Sequence, residues 1–400
     1  MKIGFLVNGF PKLSETFILN QVVGLLSAEQ KLTIFARSRP DETVTHDLIE
    51  DWNMRENVVY SKIPTTYLDG VRILSKTVPQ LAIDGDVPLR TIWSELRHGK
   101  AAPHRLANLE RVLGSGGFDV YHAHFGSVGN AFLGVTKCRD EPYIVSFYGR
   151  DASQLLREEP DRYDDLFRRV DAVTALSEDM RSTLVDAGCP RDKTHIQPLC
   201  VDTRQFSYQP RTREDGEPLR LLTVARFVEK KGLEYALRAV ADLAKTHDVE
   251  YTIAGDGERR ERIESLITEL ELEEVVNLLG WQPQSTIVDL MTNAHLFLLP
   301  SVTAENGDQE GTPTVLLEAQ AMGLPVISTY HAGIPEIVAD GKSGLLVPER
   351  DSGALADALA TLAENQSRWT EMGRHGSNYI ESKHSIDAAS TSLLDLYKSF

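Results

Sequence analysis

Two carboxylates, Glu310 and Glu318, flank the run Gly311-Thr312-Pro313-Thr314-Val315-Leu316-Leu317. An apolar strand pattern ends at Pro300, and a polar loop then runs to Gly311 and Thr312. Pro313 suits the first position of a helix, where a missing N–H costs nothing. The next amides, on Thr314 and Val315, would then point out of the helix N-terminus. A diphosphate docks well on such donors and on the positive end of the helix dipole. Gly311 lets the backbone approach that ligand closely. Glu310 precedes the helix and Glu318 lies about one and a half turns inside it, so the two cannot share a face. They are read as reaching two parts of one elongated ligand. The plainer alternative is that Glu310 caps the helix and Glu318 is solvated.

Four further loops could take part. Arg226-Phe-Val-Glu-Lys-Lys231-Gly232 follows a strand, and an arginine fork with a lysine point charge can neutralise a diphosphate; charge alone does not separate Lys230 from Lys231. His122 and His124 stand two apart at the end of a strand and so share a face, where an imidazole can donate a hydrogen bond or hold a proton near neutral pH. Tyr148-Gly-Arg150-Asp151 places a cation and an anion after another strand, as candidate acceptor contacts. The loop Gly9-Phe-Pro-Lys-Leu-Ser14 comes first in the chain, with Ser14 a natural helix cap and a second candidate acceptor contact. Gly255-Asp-Gly257 falls short of a dinucleotide fingerprint because Arg260 stands at the third glycine position. No P-loop, G-x-S-x-G or H-E-x-x-H pattern occurs. The histidine pair lacks a third ligand, so no metal site is expected.

These loops need a scaffold that presents the ends of parallel strands. Short apolar runs alternate with helical patterns in both halves: Lys2–Asn8, Leu32–Ala36, Asp119–Phe125, Tyr143–Tyr148, Ala172–Leu176 and His195–Leu199, then Arg220–Ala225, Glu250–Ala254, Val275–Leu279, Leu296–Pro300, Pro325–Ser328 and Gly344–Val347. The pattern is that of two doubly wound α/β domains. The expected division is an acceptor-binding domain over 1–200, a polar linker over 201–218, a donor-binding domain over 219–384, and a C-terminal helix over 385–400 that packs back on the first domain. A cleft between the strand ends is the expected active site.

The net charge of −17 speaks against nucleic acid as a partner. Residues 60–115 are the exception, with 8 Lys and Arg against 5 Asp and Glu. That segment is a candidate for peripheral contact with an anionic lipid surface; a solvated surface of mixed charge is the simpler account. Three scattered cysteines, Cys138, Cys189 and Cys200, fit a reducing compartment. The expected location is therefore cytoplasmic, or peripheral on the inner face of the membrane.

Taken in order, Arg226…Lys231-Gly232, Gly255-Asp-Gly257 and the Glu310–Glu318 pair resemble glycosyltransferase family 4, with the GT-B fold of two Rossmann-like domains. Phe10-Pro-Lys-Leu-Ser-Glu-Thr-Phe17 and Ser301-Val-Thr-Ala-Glu-Asn-Gly-Asp308 resemble the colanic-acid and exopolysaccharide branch. The resemblance implies a retaining, metal-independent transfer of sugar from a nucleotide-diphosphate donor, a UDP-sugar being favoured, to a glycan or lipid-linked acceptor, with no cofactor. It further implies that Glu310 holds the donor sugar, Glu318 the ribose, Arg226 and Lys231 the leaving diphosphate, and that His124 lies by the transferred sugar with His122 as the fallback. Gly9, Gly255, Gly311, Thr312, Thr314 and Val315 would complete the donor site. Gly9 is followed by Phe10 and Pro11, where the family often pairs glycines. Two rival readings share these features: a sugar-nucleotide epimerase or hydrolase, and a non-catalytic sugar-nucleotide-binding protein.

Overall fold

In the computed structural model, which describes residues 1–12, 15–40, 47–61, 66–83 and 87–400, the chain forms two compact units. The first comprises Met1–Ala175, Arg181–Gln197 and Ser390–Phe400, and the second Leu176–Met180 and Pro198–Ala389.

The first unit is built on a parallel sheet of β1 (Lys2–Gly9), β2 (Lys31–Ser38), β3 (Val58–Tyr60), β4 (Val120–His124), β5 (Tyr143–Ser146), β6 (Ala172–Ala175) and β7 (Thr194–Ile196). Their spatial order is β3-β2-β1-β4-β5-β6-β7. The second unit repeats the plan with β8 (Leu219–Val224), β9 (Val249–Ala254), β10 (Val276–Gly280), β11 (Leu296–Leu299), β12 (Val326–Thr329) and β13 (Gly344–Val347), in the order β10-β9-β8-β11-β12-β13. Each sheet starts at an inner strand, winds outward on one side, then crosses to the other. The winding reverses between β1 and β4 and again between β8 and β11. In such sheets ligands bind beyond the carboxyl ends of the strands at that reversal. His124 ends β4, Arg226 follows β8, and the loop carrying Glu310 follows β11.

Both sheets come from nearly continuous apolar runs, since a parallel strand is covered on both faces. Every residue of β4 and of Leu296-Phe-Leu-Leu299 is buried. The helix Leu233–Ala244 buries Leu233, Ala236, Leu237, Val240 and Leu243, the single face expected of a helix on a sheet. Twelve of these strands overlap the sequence reading, though β7 shares only His195 and Ile196 with the expected His195–Leu199. The exception is β3, whose three residues Val58-Val-Tyr60 are too short for a periodic signal.

Two segments at the expected boundaries have defined places in the structure. The polar stretch expected as a linker over 201–218 packs into the second unit, where Phe206 is buried. The buried Arg211 donates to the carbonyls of Thr292 at 2.6 Å and Met322 at 2.7 Å. Polar composition hid these contacts because an arginine can be buried when carbonyls satisfy its fork. Near the other end, the helix Ile386–Lys398 changes unit at Ser390. No helix among the described residues is long and apolar enough to cross a membrane.

Candidate active site

The loops that leave β8 and β11 are joined to one another. Gly232 takes a left-handed conformation (φ 64°), and a Cβ there would lie 1.8 Å from the Pro300 carbonyl oxygen. The Val302 amide donates to the Lys230 carbonyl at 2.8 Å, and the Glu305 amide to the Glu229 carboxylate at 3.2 Å. Lys230 completes the joint, its ammonium donating to Asp308 Oδ1 and the Gln309 carbonyl, both at 3.0 Å. Lys231 instead meets Glu310, with Nζ 2.6 Å from Oε1. The structure thus separates two lysines that charge alone did not.

Burial would raise the Glu310 carboxyl, but Lys231 and Lys230 outweigh it and bring it down to about 2. Burial also lowers the Lys231 ammonium, with Glu310 opposing the shift. Glu310 is therefore a carboxylate at any pH near neutral. Its backbone is fixed as well. The Glu310 amide donates to His331 Nε2 at 3.1 Å, while His331 Nδ1 lies 2.6 Å from Glu349 Oε1. A nitrogen that accepts from an amide carries no proton, so the ring proton sits on Nδ1 and goes to Glu349. Glu349 accepts from the Thr303 amide at 2.8 Å too. Neither His331 nor Glu349 stood out in the sequence. The one available signal was that His331 follows the strand pattern at Pro325–Ser328.

The helix after this loop is Thr314–Ala321, and Pro313 is its N-cap rather than its first residue (φ −64°, ψ 110°). The Leu316 amide bonds the Pro313 carbonyl at 3.0 Å. The amides of Thr314 and Val315 have no acceptor among the described residues. The hydroxyls of Thr312 and Ser301 are buried without a partner there. Buried polar groups are normally paired, so the free donors of Thr312, Thr314 and Val315 at a helix N-terminus are suited to an anion. Gly311 is buried in the same loop. Arg226 is exposed and unpaired among the described residues, and its charge bears on Lys231. Glu318 is half-buried with no cation beside it, and desolvation raises its carboxyl to about 7. Gly255 has a reason within the fold, since a Cβ there would lie 1.8 Å from the Ala225 carbonyl oxygen.

In the first unit His122 and His124 share a face of β4 and stack with ring centroids 4.5 Å apart. Both nitrogens of His122 are engaged, Nδ1 with the Tyr397 hydroxyl at 2.6 Å and Nε2 with Ser146 Oγ at 2.7 Å. Those contacts make His122 a framework residue and remove it as the fallback ligand contact. His124 Nδ1 pairs with the Tyr148 hydroxyl at 2.8 Å, while its buried Nε2 has no partner. Burial, with His122 adding to it, holds His124 well below the usual imidazole value, so the ring is neutral.

The remaining candidates serve the fold or lie elsewhere. Asp151 is buried and accepts from the Gly126 amide at 3.0 Å and the Tyr163 hydroxyl at 3.1 Å. It anchors the turn after β4, which corrects its reading as an acceptor contact. Arg150 is exposed and donates to Gln154 Oε1 at 3.2 Å. Gly9 ends β1, with Lys12 Cε and Ser38 Oγ 3.0 and 3.1 Å from the position a Cβ would take. Ser14 lies outside the described residues, and the N-cap of the helix Thr16–Ser27 is Glu15. Among the described residues no three His, Cys, Asp or Glu side chains come together to hold a metal ion.

Comparison with known proteins identifies the family. Residues 14–205 match the family model for Glycosyltransferase Family 4, and residues 205–379 that for Glycosyl transferases group 1. The putative colanic acid biosynthesis glycosyltransferase WcaL of Escherichia coli is 34% identical over 380 residues, 91% of each chain. The amylovoran biosynthesis glycosyltransferase AmsK of Erwinia amylovora is 32% identical over 379 residues, 92% of each chain. Among solved structures, Anabaena HepE in complex with UDP superposes with a TM-score of 0.75 at 16% identity, covering all of both chains, a likeness in fold. Relatedness on this scale, over two matched halves and nine-tenths of the chain, makes this protein a member of the family 4 glycosyltransferases, an enzyme of the GT-B fold.

Proposed function

We propose that the enzyme transfers a sugar, with retention at the anomeric carbon and without a metal ion or cofactor, from a UDP-sugar to a glycan or lipid-linked acceptor in exopolysaccharide assembly. The observation that carries this reading is the Lys231–Glu310 pair, set where the second sheet reverses and flanked by the unpaired Arg226. Arg226 and Lys231 supply the positive charge that a departing diphosphate needs. The amides of Thr314 and Val315 and the Thr312 hydroxyl add hydrogen-bond donors. Glu310, held ionised, accepts from hydroxyls of the donor sugar, and Glu318 from those of the ribose. His124 offers its free Nε2 to the transferred sugar.

In the transfer, the acceptor oxygen bonds to the anomeric carbon on the face the diphosphate leaves. The carbon–oxygen bond to phosphate breaks, and the acceptor proton passes to the leaving phosphate oxygen. The UDP bound to HepE favours uridine, and the names of WcaL and AmsK favour exopolysaccharide. A lipid-linked acceptor would place the reaction at the inner face of the cytoplasmic membrane.

The test is incubation with a UDP-sugar and acceptor in EDTA, with the product anomer read by NMR. Retained configuration and undiminished turnover are expected. An inverted product, or activity lost in EDTA and restored by magnesium, would contradict the mechanism. Rapid, quantitative consumption of donor without acceptor would favour the epimerase or hydrolase reading, and binding without turnover the non-catalytic one.

A further inference from the structure

Although the chain carries a net charge of −17, the described acids between 66 and 101 are Asp69, which is partly exposed, and Glu95, which is buried, while Asp84 and Asp86 lie outside the described residues. Arg72, Lys76, Arg90, Arg97 and Lys100 are all exposed there, and none has an ion-pair partner among the described residues. The same stretch holds Tyr67, Leu68, Val71, Ile83, Leu89 and Trp93, six of the ten large hydrophobic side chains that the described residues leave exposed. Leu68 is 77% and Trp93 67% exposed, so these are not residues at the edge of a core.

The two helices that carry them already have buried faces. In Tyr67–Ile83 the buried positions are Gly70, Thr77 and Leu81, and the Thr77 hydroxyl donates to the Glu110 carboxylate at 2.7 Å. In Leu89–Leu96 they are Thr91, Ile92 and Glu95, with Glu95 paired to Lys137 at 2.8 Å. Leu68, Arg72, Lys76 and Ile83 lie on the opposite face of the first helix and Leu89, Arg90 and Trp93 on that of the second, with Leu89 and Trp93 one turn apart, while Arg97 and Lys100 follow the second helix. Among the described residues, a surface that is at once apolar, aromatic and rich in exposed cations without ion-pair partners is unusual on an acidic protein.

We propose that this face of the first unit docks on the headgroup region of an anionic lipid bilayer. Trp93, Tyr67 and the aliphatic side chains would enter the boundary between headgroups and acyl chains, as amphipathic helices do. The five cations would meet the lipid phosphates, and the long stems of the lysine and arginine side chains would let their charges reach outward. Charge complementarity selects this occupant. A second copy of the chain, placed face to face, would oppose the same cations to themselves. The proposal extends the reading of a membrane-borne acceptor, but the binding itself requires neither donor nor acceptor.

The experiment uses the full chain without sugar nucleotide, sedimented with phosphatidylcholine vesicles with and without phosphatidylglycerol. Binding to the anionic vesicles at low ionic strength, reversal by salt, and none to phosphatidylcholine alone are expected. Arg72→Gln with Lys76→Gln should lower partitioning on the order of tenfold or more, each cation being worth roughly fivefold near such a surface. Leu89→Ser with Trp93→Ser should reduce it at least as far. Donor hydrolysis in solution should be unchanged in both variants. No binding to anionic vesicles, or equal binding by the variants, overturns the proposal. So does a change of oligomeric state in the Leu89 and Trp93 variant when vesicles are ignored, which would assign the face to self-association. Capture by an acidic protein with no affinity for lipid would overturn it too. Vesicle binding by a protein that turns over no donor would remove the transferase reading and leave this surface standing.

Discussion

Glu310 is held at both ends, its carboxylate by Lys231 and its amide by a His331 that Glu349 orients. Replacing His331 with alanine removes the acceptor for that amide while leaving Lys231 and Lys230 beside the Glu310 carboxylate. Turnover should fall by up to ~10²-fold, the effect of a reacting group displaced by about an ångström. The affinity for nucleoside diphosphate should hold, and His331→Asn should recover part of the loss by offering an amide oxygen. Equal losses in turnover and melting temperature, with no recovery by asparagine, would make His331 merely structural. Glu318 gives a different signature. Its folded value of about 7 lies above the ordinary carboxylate value of 4.5, so the folded state holds this proton more tightly than the unfolded state. The stability this provides is complete below 4.5 and is lost as pH rises through about 7. Glu318→Gln should therefore gain stability relative to wild type at pH 8 over pH 5 in thermal melts, while binding nucleotide more weakly if the ionised carboxylate accepts from the ribose. A stability difference independent of pH would contradict this. Glu310 and Glu318 could be picked out as candidates because they flank one short run, whereas only the folded loops distinguish Lys231 from Lys230. His331 and Glu349 were not, because the folded loops after β12 and β13 bring them to Glu310.

The joint between the loops after β8 and β11 belongs to the scale of elements. Gly232 is its least tolerant point, for a Cβ would both occupy a left-handed conformation and strike the Pro300 carbonyl. Gly232→Ala should destabilise the protein by about 3 kcal/mol and weaken nucleotide binding as the joint opens. Urea melts and titration calorimetry would check both, and unchanged values would mean that the loops are independent. The strands that position this joint could be read from the sequence because parallel strands buried on both faces are apolar throughout. Val58–Tyr60 escaped because it is three residues long. The burial of Phe206 and Arg211 within residues 201–218 was not legible, because polar groups satisfied by carbonyls look, in composition, like a linker.

For the molecule as a whole, two units repeat one winding plan, and the end of the chain returns to the first. Tyr397, on the last helix, reaches the His122 ring at 2.6 Å. No local pattern announces a contact 275 residues apart. Tyr397→Phe should cost about 1–2 kcal/mol by leaving a buried imidazole nitrogen unpaired, seen as a lower urea midpoint; an unchanged midpoint would mean that water replaces the hydroxyl. The site assignments rest on one claim, that the reversal of the second sheet binds a nucleoside diphosphate through Arg226 and Lys231. Titration calorimetry of UDP and GDP into the wild type and into the Arg226→Ala, Lys231→Ala double variant addresses it directly. One nucleotide should bind the wild type, and the folded variant should lose at least about tenfold in affinity, the loss of one charge-assisted hydrogen bond or more. Equal affinity in the two proteins would place the diphosphate elsewhere and contradict the assignment.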